Sequence, residues 1–495
     1  MPTWIQLHAP RSPRAVWPRR APSGCALALV LAVFVVAPAG AIELSPCYID
    51  GVDEQVRCGT HTVYEDRSAQ SGRTIELQIA VLPALTDTPR ADPMLVLAGG
   101  PGQSAISIAG FVDRILGPLQ SERDIVLIDQ RGTGGSNALT CDLDDDSLEV
   151  LDPGRVAELA ADCLKGLEAD VRHYTTANAV DDFHEVLQAL GFRSVNLYGV
   201  SYGSRAGLVF MRRYPEFVRS AVFDGIAPPG MRIGASMGAD AQRAMEAAAA
   251  ACAADEVCRE RFPDLRAGIA ELLAGLETPQ TVTYPDPRTG EPTEATLDRA
   301  RVALSLRGIL YSARLTSLLP LLVDEARAGR FGPLMAASSL GDSELEDLSV
   351  GLHWSVLCSE DIGRMGAEDL PAAEERSFVG RAQAEILLAA CSVWPAGELP
   401  AGFDEPVRSD VPTLLLSGEI DPVTPPAYGD DAERYLDNAV HLVAKATGHN
   451  VSPMGCAPEL IESFVQTPAP ETVDGECLDR LTRPGFFVAP TGPTP

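Results

Sequence analysis

Lysine is almost missing from these 495 residues: only Lys165 and Lys445 occur. With 39 Lys plus Arg against 69 Asp plus Glu, the formal net charge is −30, and no basic stripe or groove can be assembled. This argues against a nucleic-acid partner, whose phosphates need clustered cations. Acidity of this kind reflects solubility more than a binding site, with a weak preference for cationic peptides or free amines. Zinc-type C-x-x-C spacing is absent too, and no lysine follows the glycine-rich loop at Gly99. Neither a zinc site nor a phosphate-cradling loop is therefore expected, and no metal or cofactor is called for. The apolar run from Cys25 to Val36 falls short of the roughly 18 residues that a membrane-spanning helix needs.

What remains is the composition of a folded chain, 46% hydrophobic and 22% charged. Its length allows one large domain or two ordinary ones. Arg11, Arg14, Arg19 and Arg20 precede the short apolar run, and Ala39-Gly40-Ala41 follows it. That grammar is a secretory leader, residues 1–41, cleaved after about Ala41. Export to the periplasm or medium is expected, with no stable membrane association once the leader is gone. Setting Cys25 aside leaves Cys47, Cys58, Cys141, Cys163, Cys252, Cys258, Cys358, Cys391, Cys456 and Cys477, in sequence-local couples. In an oxidising compartment they are most simply five disulfides between nearest neighbours.

Strand-like runs stand at Thr74–Val81, Met94–Ala98, Ile125–Asp129, Val195–Tyr198, Ser220–Gly225, Val411–Gly418 and Ala439–Ala444. Several are short, continuously apolar and cut by glycine turns, with helical stretches between them. They predict an α/β fold: a mostly parallel sheet covered by helices on both faces. A helix is expected from Thr175 to Leu190, with threonines to cap it and Gly191 to end it. From about Pro228 the spacing turns helical with few strand-like runs, and strand character returns at Val411. The expected organisation is a sheet core over 42–227 and 406–482, a helical lid inserted over 228–405, and a loose tail over 483–495.

The chemistry gathers at Gly199-Val-Ser-Tyr-Gly203, between a buried strand and a helix. A G-x-S-x-G turn in that setting projects a serine hydroxyl above the sheet, which makes Ser201 the candidate nucleophile. A serine needs a base, and the base an orienting acid. Asp421 falls in the turn after one late strand and His449 in the turn after the next. The chain order Ser, Asp, His is that of an α/β-hydrolase. Glu419 is the rival acid and His353 the rival base. The backbone N–H of Tyr202 supplies one oxyanion donor, and Gly100 of the Gly99-Gly-Pro-Gly102 loop supplies the second.

Gly99-Gly-Pro-Gly102 with Ser104, Asp129-Gln-Arg-Gly-Thr-Gly134 with Ser136, and Gly199-Val-Ser-Tyr-Gly203 occur in that order. Together they resemble the serine aminopeptidase branch of the α/β-hydrolases, which holds the proline iminopeptidases and secreted tripeptidyl aminopeptidases. Asp421-Pro-Val-Thr424, Gly448-His449, the leader and the cysteine number are more similar to the tripeptidyl type. The resemblance covers roughly Ile75 to Asp224 and Val411 to Cys477. It departs at Ala98, where proline iminopeptidases typically carry a histidine, so strict proline specificity does not carry over. It implies peptide substrates with a free N-terminus, whose ammonium would pair with Glu360 or Asp361 in the lid. The resulting expectation is an exported serine exopeptidase. An esterase using the same three residues is the alternative.

Overall fold

Consecutive residues of Met94–Leu97 and Ile125–Ile128 are all buried, because odd and even positions feed two different apolar clusters. Leu95, Leu97, Val126 and Ile128 point to one face of the sheet, and Met94, Val96, Ile125 and Leu127 to the other. A strand with no wet face belongs in the middle of a sheet sandwiched by helices. The computed structural model describes residues 42–141, 152–287, 289–342, 348–365 and 377–493. The expected leader, 1–41, lies outside the described residues.

Eleven strands are described: β1 (Ser45–Cys47), β2 (Val56–Tyr64), β3 (Thr74–Leu82), β4 (Met94–Leu97), β5 (Ile125–Ile128), β6 (Val195–Val200), β7 (Val218–Asp224), β8 (Gln280–Pro285), β9 (Pro292–Leu297), β10 (Thr413–Gly418) and β11 (Ala439–Ala444). Nine of them form one sheet in the order β1-β2-β3-β5-β4-β6-β7-β10-β11. Pairing is parallel from β5 through β4, β6, β7 and β10 to β11, and antiparallel from β1 to β3 and between β3 and β5. This is the α/β-hydrolase fold, with a mostly parallel sheet as the sequence predicts. The helix Thr176–Ala189 packs against the helix Tyr202–Arg213 that follows β6, and its first turn is capped by the Thr175 hydroxyl, which accepts from the Asn178 N–H.

Between β7 and β10 the chain is mainly helical, with long helices at Met237–Ala254, Arg299–Ile309 and Val350–Glu360 among others. Its apolar residues build a cluster of their own, including Met245, Leu272, Leu306, Leu322 and Leu334. The β8–β9 hairpin also lies here, where mainly helical spacing with few strand-like runs was expected. Part of the stretch expected as a loose tail is docked. Phe486 is buried in that same cluster, and the Phe487 N–H donates to Ser317 O at 2.9 Å. Two aromatic residues in a proline-rich stretch are enough to dock it.

The ten cysteines among the described residues couple with their nearest neighbours: Cys47–Cys58, Cys141–Cys163, Cys252–Cys258, Cys358–Cys391 and Cys456–Cys477. Among the described residues, no helix is long and apolar enough to cross a membrane.

Candidate active site

Ser201 follows β6 directly and opens the helix Tyr202–Arg213. Its backbone sits at φ 55°, ψ −122°, a conformation costly for any residue with a side chain. The fold holds it there from both sides. The Ser201 N–H donates to Asp224 O at 2.8 Å, and the Ser204 hydroxyl donates to Ser201 O at 2.5 Å. A Cβ at Gly199 would lie 2.5 Å from Gly203 O, and one at Gly203 would run into Leu97 O, so the turn excludes side chains at both glycines. The Ser201 hydroxyl does not cap its own helix, which leaves it for chemistry.

Asp421 lies three residues past β10 and is fully buried. It accepts from the N–H groups of Val423 (2.7 Å) and Thr424 (2.9 Å) and from the Thr424 hydroxyl (2.8 Å). Its Oδ2 also takes Nδ1 of His449 at 2.7 Å. Burial alone would push the Asp421 carboxyl up. The charge and hydrogen bond of His449, with the Thr424 and Val423 amides, outweigh it and hold the group below the ordinary carboxylate range. Because Oδ2 accepts, Nδ1 carries the proton, which leaves Nε2 of a neutral ring basic. A Cβ at Gly225 would lie 3.0 Å from Cε1 of His449. Gly225 follows Asp224, whose carbonyl holds the Ser201 N–H, so the imidazole and the serine turn stand at neighbouring strand ends.

The supports of this pair lie far apart in sequence. Asp224 accepts from the N–H groups of Val451 (2.8 Å) and Ser452 (2.7 Å), which fixes the loop after His449. The His449 N–H donates to Tyr311 O at 2.9 Å, and the Tyr311 ring meets the imidazole edge to face at 5.5 Å. Arg243 donates to the carbonyls of Glu419 and Asp421 from the helical insertion. Asp224, Tyr311 and Arg243 carry no local sequence signal; Thr424, inside the Asp421 motif, was within reach. The rivals are engaged elsewhere. Glu419 pairs with Lys445 at 3.0 Å and accepts from the Ala446 N–H, and His353 Nδ1 faces Pro101 O.

Tyr202 follows the serine directly, and the loop that carries Gly100 passes close to it. A Cβ at Gly99 would lie 3.4 Å from Ser201 Cβ, so the glycine loop runs beside the nucleophile. Gly100 has φ +106°, which favours glycine. Among the described residues, no hydrogen bond occupies the N–H of Gly100 or Tyr202. The Asp129 motif explains itself as scaffolding. Asp129 accepts from Ser104 Oγ (2.5 Å) and from the N–H groups of Ile106 (3.0 Å) and Gly135 (2.9 Å), which ties the glycine loop to its neighbour. Gln130 donates to the Tyr202 hydroxyl at 3.1 Å. Arg131 is buried against Asp182, with Nε to Oδ2 at 2.6 Å.

Glu360 and Asp361 end the insertion helix Val350–Glu360, and both are fully buried. Asp361 is bidentate to Arg205 and accepts from the Ile233 N–H, so its charge is already met. Glu360 accepts from Thr176, N–H at 2.7 Å and hydroxyl at 2.8 Å, and stands 3.5 Å from Arg205. The Thr176 hydroxyl continues to the Tyr202 phenol at 2.7 Å, which links Glu360 to the residue after the nucleophile. Burial raises the Glu360 carboxyl to about 7, with Arg205 and Thr176 opposing. In the free chain neither carboxylate presents surface to a ligand.

Comparison with known proteins agrees with this architecture. Residues 92–259 match the family model described as alpha/beta hydrolase fold, and residues 376–477 the one described as TAP-like protein. The chain is 25% identical over 469 residues to serine protease Hip1 of Mycobacterium tuberculosis, spanning 86% of this chain and 88% of that protein. It is 28% identical over 241 residues to a tripeptidyl aminopeptidase of Streptomyces lividans, spanning 43% of this chain and 42% of that one. A putative hydrolase of Escherichia coli, YuaR, is 28% identical over 166 residues, a third of each chain. The chain has the α/β-hydrolase fold, and the proteins it is similar to include one named a serine protease, one a tripeptidyl aminopeptidase and one a putative hydrolase.

Proposed function

We propose that this α/β-hydrolase is a serine exopeptidase acting on peptides with a free N-terminus. The observation that carries the reading is the buried Asp421–His449 pair beside the strained Ser201 turn. In this mechanism His449 Nε2 takes the Ser201 proton as the hydroxyl attacks the scissile carbonyl. Asp421 keeps the imidazole in the tautomer with Nδ1 protonated and stabilises the imidazolium. The N–H groups of Gly100 and Tyr202 receive the oxyanion. The imidazolium then returns the proton to the leaving amine, and water cleaves the acyl-serine by the same path in reverse.

Amine recognition falls to Glu360, since Arg205 already neutralises Asp361. An ammonium reaches Glu360 by opening its contact with Thr176. The protein acts outside the cytoplasm, with residues 1–41 removed as a leader; five disulfides in one chain support that reading.

The test pairs wild type with Ser201→Ala on fluorogenic Pro-, Ala- and Ala-Ala-Pro-type peptides, each free and N-acetylated. Turnover of free peptides alone, lost in Ser201→Ala, is the expected result, and the best substrate gives the number of residues released. Equal turnover of acetylated peptides, or activity on simple esters only, would overturn the exopeptidase reading.

A further inference from the structure

The glycine loop beside Ser201 is held from two directions, and only one of them is the sheet core. From below, Asp129 fixes Ser104 and Ile106. From above, the first turn of the insertion helix Val350–Glu360 and the two residues before it grip the loop itself. The Ser349 N–H donates to Gly102 O at 2.9 Å, and His353 Nδ1 stands 3.0 Å from Pro101 O. Leu348 closes on the same loop, since a Cβ at Gly100 or Gly102 would lie 3.0 or 3.1 Å from its Cδ1. The same helix turn is strapped to the neighbouring motif loop, where the Gly351 N–H donates to Leu139 O at 2.8 Å.

A carbonyl oxygen only accepts, so His353 Nδ1 carries the proton and donates to Pro101. Burial lowers the basicity of the ring, with the Pro101 bond and the Asp361 charge opposing, so the neutral form is favoured. The contact falls on the Pro101–Gly102 peptide unit, two units along from the Gly99–Gly100 unit whose N–H is the second oxyanion donor of the reading above. The pyrrolidine ring fixes φ at Pro101 and narrows the backbone of the residue before it, so pinning the Pro101 carbonyl also limits how far the Gly100 N–H can turn. Oxyanion donors act by being aimed beforehand, so a small rotation is felt in the rate and not in substrate binding.

We propose that His353 is a positioning residue of the oxyanion hole, donating from the helical insertion to Pro101 O and so aiming the Gly100 N–H at the substrate. The insertion thereby completes the catalytic centre as well as covering it. This rests on the Ser201–His449–Asp421 reading, and the experiment separates the two.

Wild type, His353→Leu, His353→Phe and His353→Asn are compared for kcat and KM on the best free peptide, for inhibition by the matching peptide aldehyde, and for thermal midpoint. The aldehyde forms a tetrahedral adduct on Ser201 and reports the oxyanion hole. His353→Leu should lower kcat by roughly 10- to 100-fold and weaken the aldehyde in parallel, with KM unchanged within about twofold. His353→Asn, whose amide N–H can take the place of Nδ1, should recover most of both. His353→Phe keeps the ring volume and stands in if the leucine variant does not fold. Unchanged kcat in the leucine and phenylalanine variants, a loss appearing in KM instead, or an asparagine variant as poor as leucine would overturn the proposal. A wild type that neither turns over peptides nor reacts with a fluorophosphonate at Ser201 would instead remove the triad reading, and this inference with it.

Discussion

Arg205 and Asp361 meet through two parallel hydrogen bonds, Nη1 to Oδ2 at 2.8 Å and Nη2 to Oδ1 at 3.1 Å, with both side chains fully buried. Arg205 belongs to the helix that starts at Ser201, and Asp361 directly follows the insertion helix Val350–Glu360. The pair therefore rivets the insertion to the helix behind the nucleophile. Asp361→Ala leaves a buried guanidinium with Glu360 at 3.5 Å as its nearest carboxylate. The expected loss is about 3–5 kcal/mol in urea unfolding, because the unpaired charge stays buried. A midpoint equal to wild type would show that the insertion is held by other means.

Asp421→Asn should preserve the fold and cut kcat by about 10⁴-fold, since an amide no longer selects the required imidazole tautomer. Thr424→Val is the milder test. It removes the hydroxyl donor to Asp421 at 2.8 Å and should lower kcat by roughly tenfold with KM little changed. Full activity in Asp421→Asn, with circular dichroism intact, would mean that another acid orients His449.

Glu360 sets a pH signature. Its folded value of about 7 lies above the ordinary 4.5, so the native chain holds a proton that the unfolded chain releases. Its contribution to stability is full below pH 4.5 and is lost as pH rises through about 7. Glu360→Gln should flatten the thermal midpoint between about pH 5 and 8 relative to wild type. For a free-amine peptide, wild-type KM should rise as pH falls below about 7, because the ammonium needs the ionised carboxylate. A Glu360→Gln variant with wild-type KM across that range would remove Glu360 from amine recognition.

The Cys358–Cys391 bond joins the insertion helices Val350–Glu360 and Ala382–Cys391 across 33 residues. Loop-closure entropy puts its contribution at about 3–4 kcal/mol. Replacing both cysteines with alanine should lower the denaturation midpoint accordingly. It should also reduce kcat, since His353 and Glu360 sit on the tethered helix. A variant with undiminished kcat would separate the tether from the chemistry.

Much of the sheet is legible because its central strands are unbroken apolar runs ended by glycine. β11 was expected over Ala439–Ala444, where it lies. The β8–β9 hairpin was not, because Gln280–Pro285 and Pro292–Leu297 bury little and carry prolines that read as loop. Ser201, Asp421 and His449 stand out through motif and chain order. The groups that hold them do not. Arg205 looks like any helix cation until Asp361 arrives from 156 positions away, and Asp224 looks like any strand end until Val451 and Ser452 settle on it. Contacts of that range leave no periodicity, and Phe486 escaped notice because two aromatics cannot outweigh a proline-rich surrounding.

Phe486 leaves the ribosome after every strand and helix it packs against. The insertion's core is therefore finished last, after β10 and β11 have been made. A nascent chain stalled or truncated before that point carries an uncovered apolar face, the kind of surface that chaperones and quality-control proteases bind. Closure of the insertion's core in that sense waits on a residue made after both late strands.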